Sequence, residues 1–132
     1  MLTRKATVVL AACFALLVVG CRIAPIYNVT GDTITSSKAN LTMDDVSKAI
    51  VRAGGSLGWQ MTPAGRGHMV GTLNLRNHVA VVDITYDTKS FAIAYKDSTN
   101  LEYNKDTSEI HKNYNGWVQN LENGIRTQLS LL

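Results

Sequence analysis

Three histidines, His68, His78 and His111, and a few hydroxyl and carboxylate side chains are the residues of this chain that could do chemistry. Zinc asks for ligands at tight local spacing, two histidines on one helix face or paired cysteines. These histidines are scattered, and no metal site is expected. His68 and His78 bracket a predicted strand and read as solvent-facing turn residues, while His111 opens a predicted helix, where it would make local hydrogen bonds. A nucleophilic serine needs a base, an orienting group and commonly a glycine-rich elbow. Ser56 and Ser98 have no such context. Asp83 lies among Val81, Val82 and Ile84, where burial would favour its neutral form, but alternation places it on the outer face with Val81 and Thr85. Gly65-Arg66-Gly67 is too short for a phosphate loop and does not open a helix. The chain therefore reads as a non-enzyme, with no catalytic residue and no cofactor.

The two cysteines point elsewhere. Arg4 and Lys5 lead into apolar residues from Ala6 to Val19, then Gly20 and Cys21. Positive charge, apolar core and a small-residue cleavage point make up a secretory signal peptide. The 15 residues from Ala6 to Gly20 fall short of the roughly 20 that a spanning helix needs. Val18-Val19-Gly20-Cys21 resembles the lipobox of bacterial lipoproteins, in which the cysteine is acylated and becomes the first residue of the mature chain. That resemblance implies cleavage after residue 20, lipidation of Cys21 and a membrane partner held through the lipid. Cys13 leaves with the signal, so no disulfide and no thiol chemistry remain.

Of the 132 residues, 112 then remain, enough for one small core. The 13 basic residues fall to 11 without Arg4 and Lys5, against 10 acidic ones. Mixed, unclustered charge argues against nucleic acid, which needs grouped Lys and Arg to meet phosphates.

Residues 22–40 are polar and broken by Pro25 and Gly31, which predicts a tether over 21–40 with a short strand near Thr33–Ser36. A helix is predicted over about 43–53. Thr42 and Asp45 form a capping-box pattern, Leu41 and Val46 a staple, and Val46, Ala49, Ile50 and Ala53 an apolar stripe before Gly54-Gly55. The period then becomes two. Trp59 and Met61, then Met69 to Leu75, then Ala80 to Tyr86, then Phe91 to Tyr95 alternate with polar or small residues across short turns. Residues 97–110 read as loop, and Tyr114, Trp117, Val118, Leu121, Ile125 and Leu129 mark a closing helix over about 111–130. The expected fold over 41–132 is α+β, a two-layer sandwich of a four-stranded antiparallel meander with two helices on one face.

Most aromatic residues belong to the expected core. Tyr103, Tyr27 and the stretch from Asn100 to Asn115 are less easily explained by burial, and long polar loops on a rigid sheet commonly carry binding residues. Asn100, Tyr103, His111 and Tyr114 are its candidate binding residues. The run Tyr95-Lys96-Asp97-Ser98-Thr99-Asn100-Leu101-Glu102-Tyr103, followed by Ile110 to Leu121, resembles a pattern in small proteobacterial lipoproteins. The resemblance covers most of residues 40–130. It implies a compact α+β domain at the outer membrane and transfers no catalytic residue. Arg22, where aspartate would favour inner-membrane retention in enterobacterial sorting, points the same way.

The expected function is thus a periplasmic binding or scaffolding domain, lipid-anchored on the periplasmic face of the outer membrane, with an envelope protein or peptidoglycan as partner. A small-ligand or metal-binding module using the 96–115 loop is the alternative. A hydrolase whose site is assembled from distant residues is the third reading.

Overall fold

A computed structural model describes residues 21–132. The expected signal peptide, residues 1–20 with Cys13, lies outside the described residues. The first helix, α1 (Met43–Ser56), starts where its cap predicts. Asp45 N–H donates to Thr42 Oγ1 at 3.1 Å, and Thr42 N–H donates to Asp45 Oδ2 at 3.0 Å, so two otherwise orphaned donors are satisfied reciprocally. Its end differs from expectation. The helix runs through Gly54 and Gly55 to Ser56, because Gly54 serves packing: a Cβ there would collide with the Met61 side chain.

The strands β3 (Trp59–Gly65), β4 (His68–Leu75), β5 (His78–Tyr86) and β6 (Ser90–Thr99) form the expected antiparallel meander. Gly67, at φ +70°, turns β3 into β4 against the Tyr86 carbonyl, which a Cβ would meet at 2.6 Å. The four-strand count is corrected, because β2 (Val29–Thr33) pairs antiparallel with β6 and the order is β2-β6-β5-β4-β3. Two short strands that the sequence reading lacks, β1 (Ile23–Pro25) and β7 (Glu109–His111), form a second, two-stranded sheet. The segment expected as a tether with a strand at 33–36 instead supplies two strands before residue 34. Neither has an alternation to read: β2 buries only Val29, and β1 has three residues, one of them proline.

The second helix, α2 (Lys112–Ser130), buries Tyr114, Val118, Leu121, Ile125 and Leu129. Trp117 sits half-buried at the margin of the core. Both helices share one core with a single face of the sheet, contributed by Trp59, Met69, Leu73, Ala80, Val82, Ile84, Phe91 and Ile93. The class is α+β. Alternation leaves Val70, Val81, Asp83 and Ala94 on the other face. Tyr95 continues the inward alternation of Phe91 and Ile93, and a bulge at Lys96, where Val82 faces Tyr95 and Val81 faces Asp97, puts both Lys96 and Asp97 on the outer face. Among the described residues no helix is long and apolar enough to cross a membrane.

Two outcomes follow from this packing. Phe91 is 1 % exposed, and Phe91→Ala should cost about 3–5 kcal/mol in chemical denaturation, since its neighbours collapse only partly into the space. At the α1 cap, the Lys38 ammonium 2.8 Å from Asp45 Oδ1, helped by the Thr42 N–H, holds the Asp45 carboxyl down to about 2 from 3.8. A depressed folded value stabilises above the ordinary one and loses that contribution as pH falls through about 2. Asp45→Asn should accordingly flatten the acid limb of the denaturation midpoint plotted against pH.

Candidate functional site

The candidate residues from the sequence all lie near the β1–β7 end, Asn100 and His111 in hydrogen bonds and Tyr103 and Tyr114 against the ring of Tyr95. Asn100, in the left-handed region at φ 56°, donates through Nδ2 to the Asn77 carbonyl at 2.8 Å. Its own carbonyl lies 2.8 Å from His78 Nδ1. The His78 ring is tilted against Trp117. His111 caps α2, its Nδ1 accepting from Asn113 N–H at 3.1 Å, the local role expected of it. Tyr103, 39 % exposed, stacks on Tyr95 with ring centroids 4.1 Å apart. Tyr114 meets Tyr95 edge-on and is fully buried, its hydroxyl without a hydrogen-bond partner among the described residues. Burial pushes the Tyr114 phenol well above its ordinary value, so it stays neutral. Tyr95 is raised as well, by burial in the first place. The four residues share an end of the fold, while the cavities described below are lined by others.

His68 and Asp83 form the one histidine–carboxylate pair among the described residues, with Nε2 2.6 Å from Oδ1. Such a pair is the base-and-orienter half of a hydrolytic triad. Here Lys96 Nζ approaches the other Asp83 oxygen at 3.6 Å, so the cluster closes on itself on the outer sheet face, where alternation had placed Asp83.

A third cluster went unread in the sequence. Glu122, 7 % exposed, is the buried charged residue of the described chain. Tyr27 Oη donates to Glu122 Oε2 at 2.6 Å, and Arg126 donates to Oε1 at 2.9 Å. Arg126 Nε also donates to Asp32 on β2. The bond to Glu122, followed by burial, raises the Tyr27 phenol above its ordinary value, so it remains a donor. A cleft of about 220 Å³ opens beside this chain of groups, between Tyr27, Asn28, Gly31, Asp32, Glu122 and Arg126. A second cavity of about 390 Å³ lies past Arg126 against Thr33, Thr35 and Ser130. Two carboxylates around one guanidinium leave a net negative charge and a surface suited to polar ligands bearing hydrogen-bond donors. The sequence held one signal for it: Glu122 stands four residues after Val118 and three before Ile125, on the flank of the apolar stripe, with Arg126 at i+4.

No family model matches the chain, and no curated protein and no solved structure matches it.

The Tyr27–Glu122 bond predicts a pH dependence. A raised phenol contributes stability below pH 10, the ordinary value, and loses it as pH climbs through the folded one. Tyr27→Phe should therefore soften the alkaline decline of the denaturation midpoint, with Tyr95 and Tyr114 retaining the remainder. Glu122→Ala should cost about 1.5–3 kcal/mol at neutral pH by removing a charged acceptor from two donors.

Proposed function

We propose that the chain is a bacterial lipoprotein, acylated on Cys21, whose remaining residues form a non-enzymatic binding or scaffolding domain of the cell envelope. Its place is the periplasmic face of the outer membrane, and its partner an envelope protein or peptidoglycan. The observation that carries this reading is the run from Arg4 to Cys21, charge then apolar core then Val-Val-Gly-Cys. The exposed free thiol of Cys21 is compatible with it. Two acyl chains suffice for stable attachment, each buried methylene contributing about 0.8 kcal/mol.

The fold suits a scaffold. Two helices on one face of a five-stranded sheet make a two-layer sandwich, in which the histidines and most buried polar groups hold the structure together. The resemblance of Tyr95 to Leu121 to small proteobacterial lipoproteins supports the same assignment. Binding by a domain of this kind falls to its surface clefts, and the cleft at Glu122 and Arg126 is the most polar of them in its lining groups.

Growth of cells expressing the full chain with radiolabelled palmitate tests the anchor. The wild type should carry label in the membrane fraction, and Cys21→Ala should lose it and accumulate unprocessed; label persisting on the variant would overturn the assignment.

A further inference from the structure

We propose that the end of the fold built from β1, β7 and residues 101–108 is a membrane-contact surface, resting on the headgroups of the bilayer that holds the acyl chains of Cys21. The inference rests on the acylation of Cys21 and goes beyond it to the orientation of the domain. Its ground is the length of chain between the anchor and the folded body. A free polar tether over residues 22–40 would let the domain wander by roughly 25 Å, at about 5–6 Å times the square root of its length. The structure leaves two residues, a reach of about 7 Å.

That short reach has no slack in it. Arg22 carbonyl accepts from Lys112 N–H at 2.8 Å, Ile23 pairs with His111, and Ile26 N–H donates to the Ser108 carbonyl at 2.9 Å. Asn115 then grips the segment at two points, its Nδ2 donating to Pro25 carbonyl and its Oδ1 accepting from Tyr27 N–H, both at 2.8 Å. The backbone beside Cys21 is thereby fixed to the start of α2 and to β7. With its lipid in the bilayer, Cys21 brings this end, and no other, to the headgroups.

The side chains there suit that layer. Tyr103 is an exposed aromatic with a polar tip, the kind enriched at membrane–water interfaces, and its stacking on Tyr95 holds it ready at little entropic cost. Lys112 flanks the anchor with a long stem that can lie along the interface while its charge meets phosphates, and Arg22 beside it is paired with Glu102 at 2.7 Å, which leaves the rest of its guanidinium donors for the headgroups. The opposite end carries the turns at Arg66-Gly67 and Asp87–Lys89, a full β5 length away, about 30 Å for nine residues. It would face the periplasm.

The test tethers the mature chain chemically. Residues 21–132, whose one thiol is Cys21, are coupled to a maleimide-headgroup phospholipid in nanodiscs of phosphatidylethanolamine and phosphatidylglycerol, with and without a gadolinium-chelate lipid. Amide signals from residues 102–113 should lose intensity with gadolinium, and those of Gly67 and Lys89 should keep theirs. Even loss along the chain, or loss centred on Gly67 and Lys89, would overturn the contact surface. Tyr103→Ser should leave the spectrum in solution unchanged outside the surroundings of Tyr95 and residue 103 and weaken the loss at 102–113; an undiminished loss would remove Tyr103 from the contact. Because the coupling bypasses cellular acylation, failure here with palmitate labelling intact refutes the orientation alone. Failure of labelling with this pattern intact refutes the anchor, and with it the bilayer as the natural occupant.

Discussion

The burial of one face of α2 is the constraint on which the rest of this structure depends. Tyr114, Val118, Leu121, Ile125 and Leu129 are all at most 1 % exposed. At roughly 1.5–3 kcal/mol for each fully buried apolar side chain, that stripe outweighs the ~1 kcal/mol cost of each glycine within the helix. The two glycines are not equivalent. Gly116 faces open space, whereas Gly124 lets α1 approach, since a Cβ there would meet Leu57 at 3.2 Å and Ala53 at 3.6 Å. α2 thereby seats α1, and the two helices together share a core with the apolar face of the sheet.

The same helix recruits the N-terminal segment by its polar flank. Asn115 holds the backbone of Pro25 and Tyr27, Glu122 takes the Tyr27 hydroxyl, and Arg126 reaches Asp32 on β2. Among its described residues the segment buries Val29 and packs Ile26, Tyr27 and Ile34 partly against the core. Hydrogen bonds to charged groups, at about 1.5–3 kcal/mol, add terms of similar size to that packing. A buried carboxylate is costly unless its oxygens are satisfied, and Glu122 has a donor on each.

This division explains what could be read from the sequence. Elements set by local signals were legible: the Thr42–Asp45 box, the meander with its period of two, the α2 stripe and the capping role of His111. Elements set by distant partners were not. β2 owes its place to β6, some sixty residues on, and to Arg126 on α2. β1 owes its place to β7 and Asn115. Nothing in Ile-Ala-Pro or Val-Thr-Gly-Asp-Thr announces a strand, because their stabilising contacts lie outside any window of local pattern. Gly54 misled for a related reason. Its lack of a side chain reads as a helix stop, while its use is to admit Met61. The candidate residues at 100–114 fall at one end of the fold, with Tyr114 buried as its place in the helix stripe implies and Tyr103 exposed.

The polar flank of α2 thus sets a length as well as a stability. While Asn115 and Glu122 keep their bonds, the backbone at Cys21 is two residues from a paired strand. If they and the β1–β7 pairing open together, the next fixed point is β2, whose pairing begins at Val29, eight residues from Cys21. The Asn115–Pro25 bond is exposed and the two bonds to Tyr27 are partly buried, and local opening of such a segment costs far less than unfolding the core. The distance between the cysteine and the body of the domain is therefore governed by the pairing of β1 with β7 and by side chains of α2, and not by the composition of the segment itself. A Gly- and Thr-containing stretch that looks like a flexible leash is, in the folded chain, a short clasp.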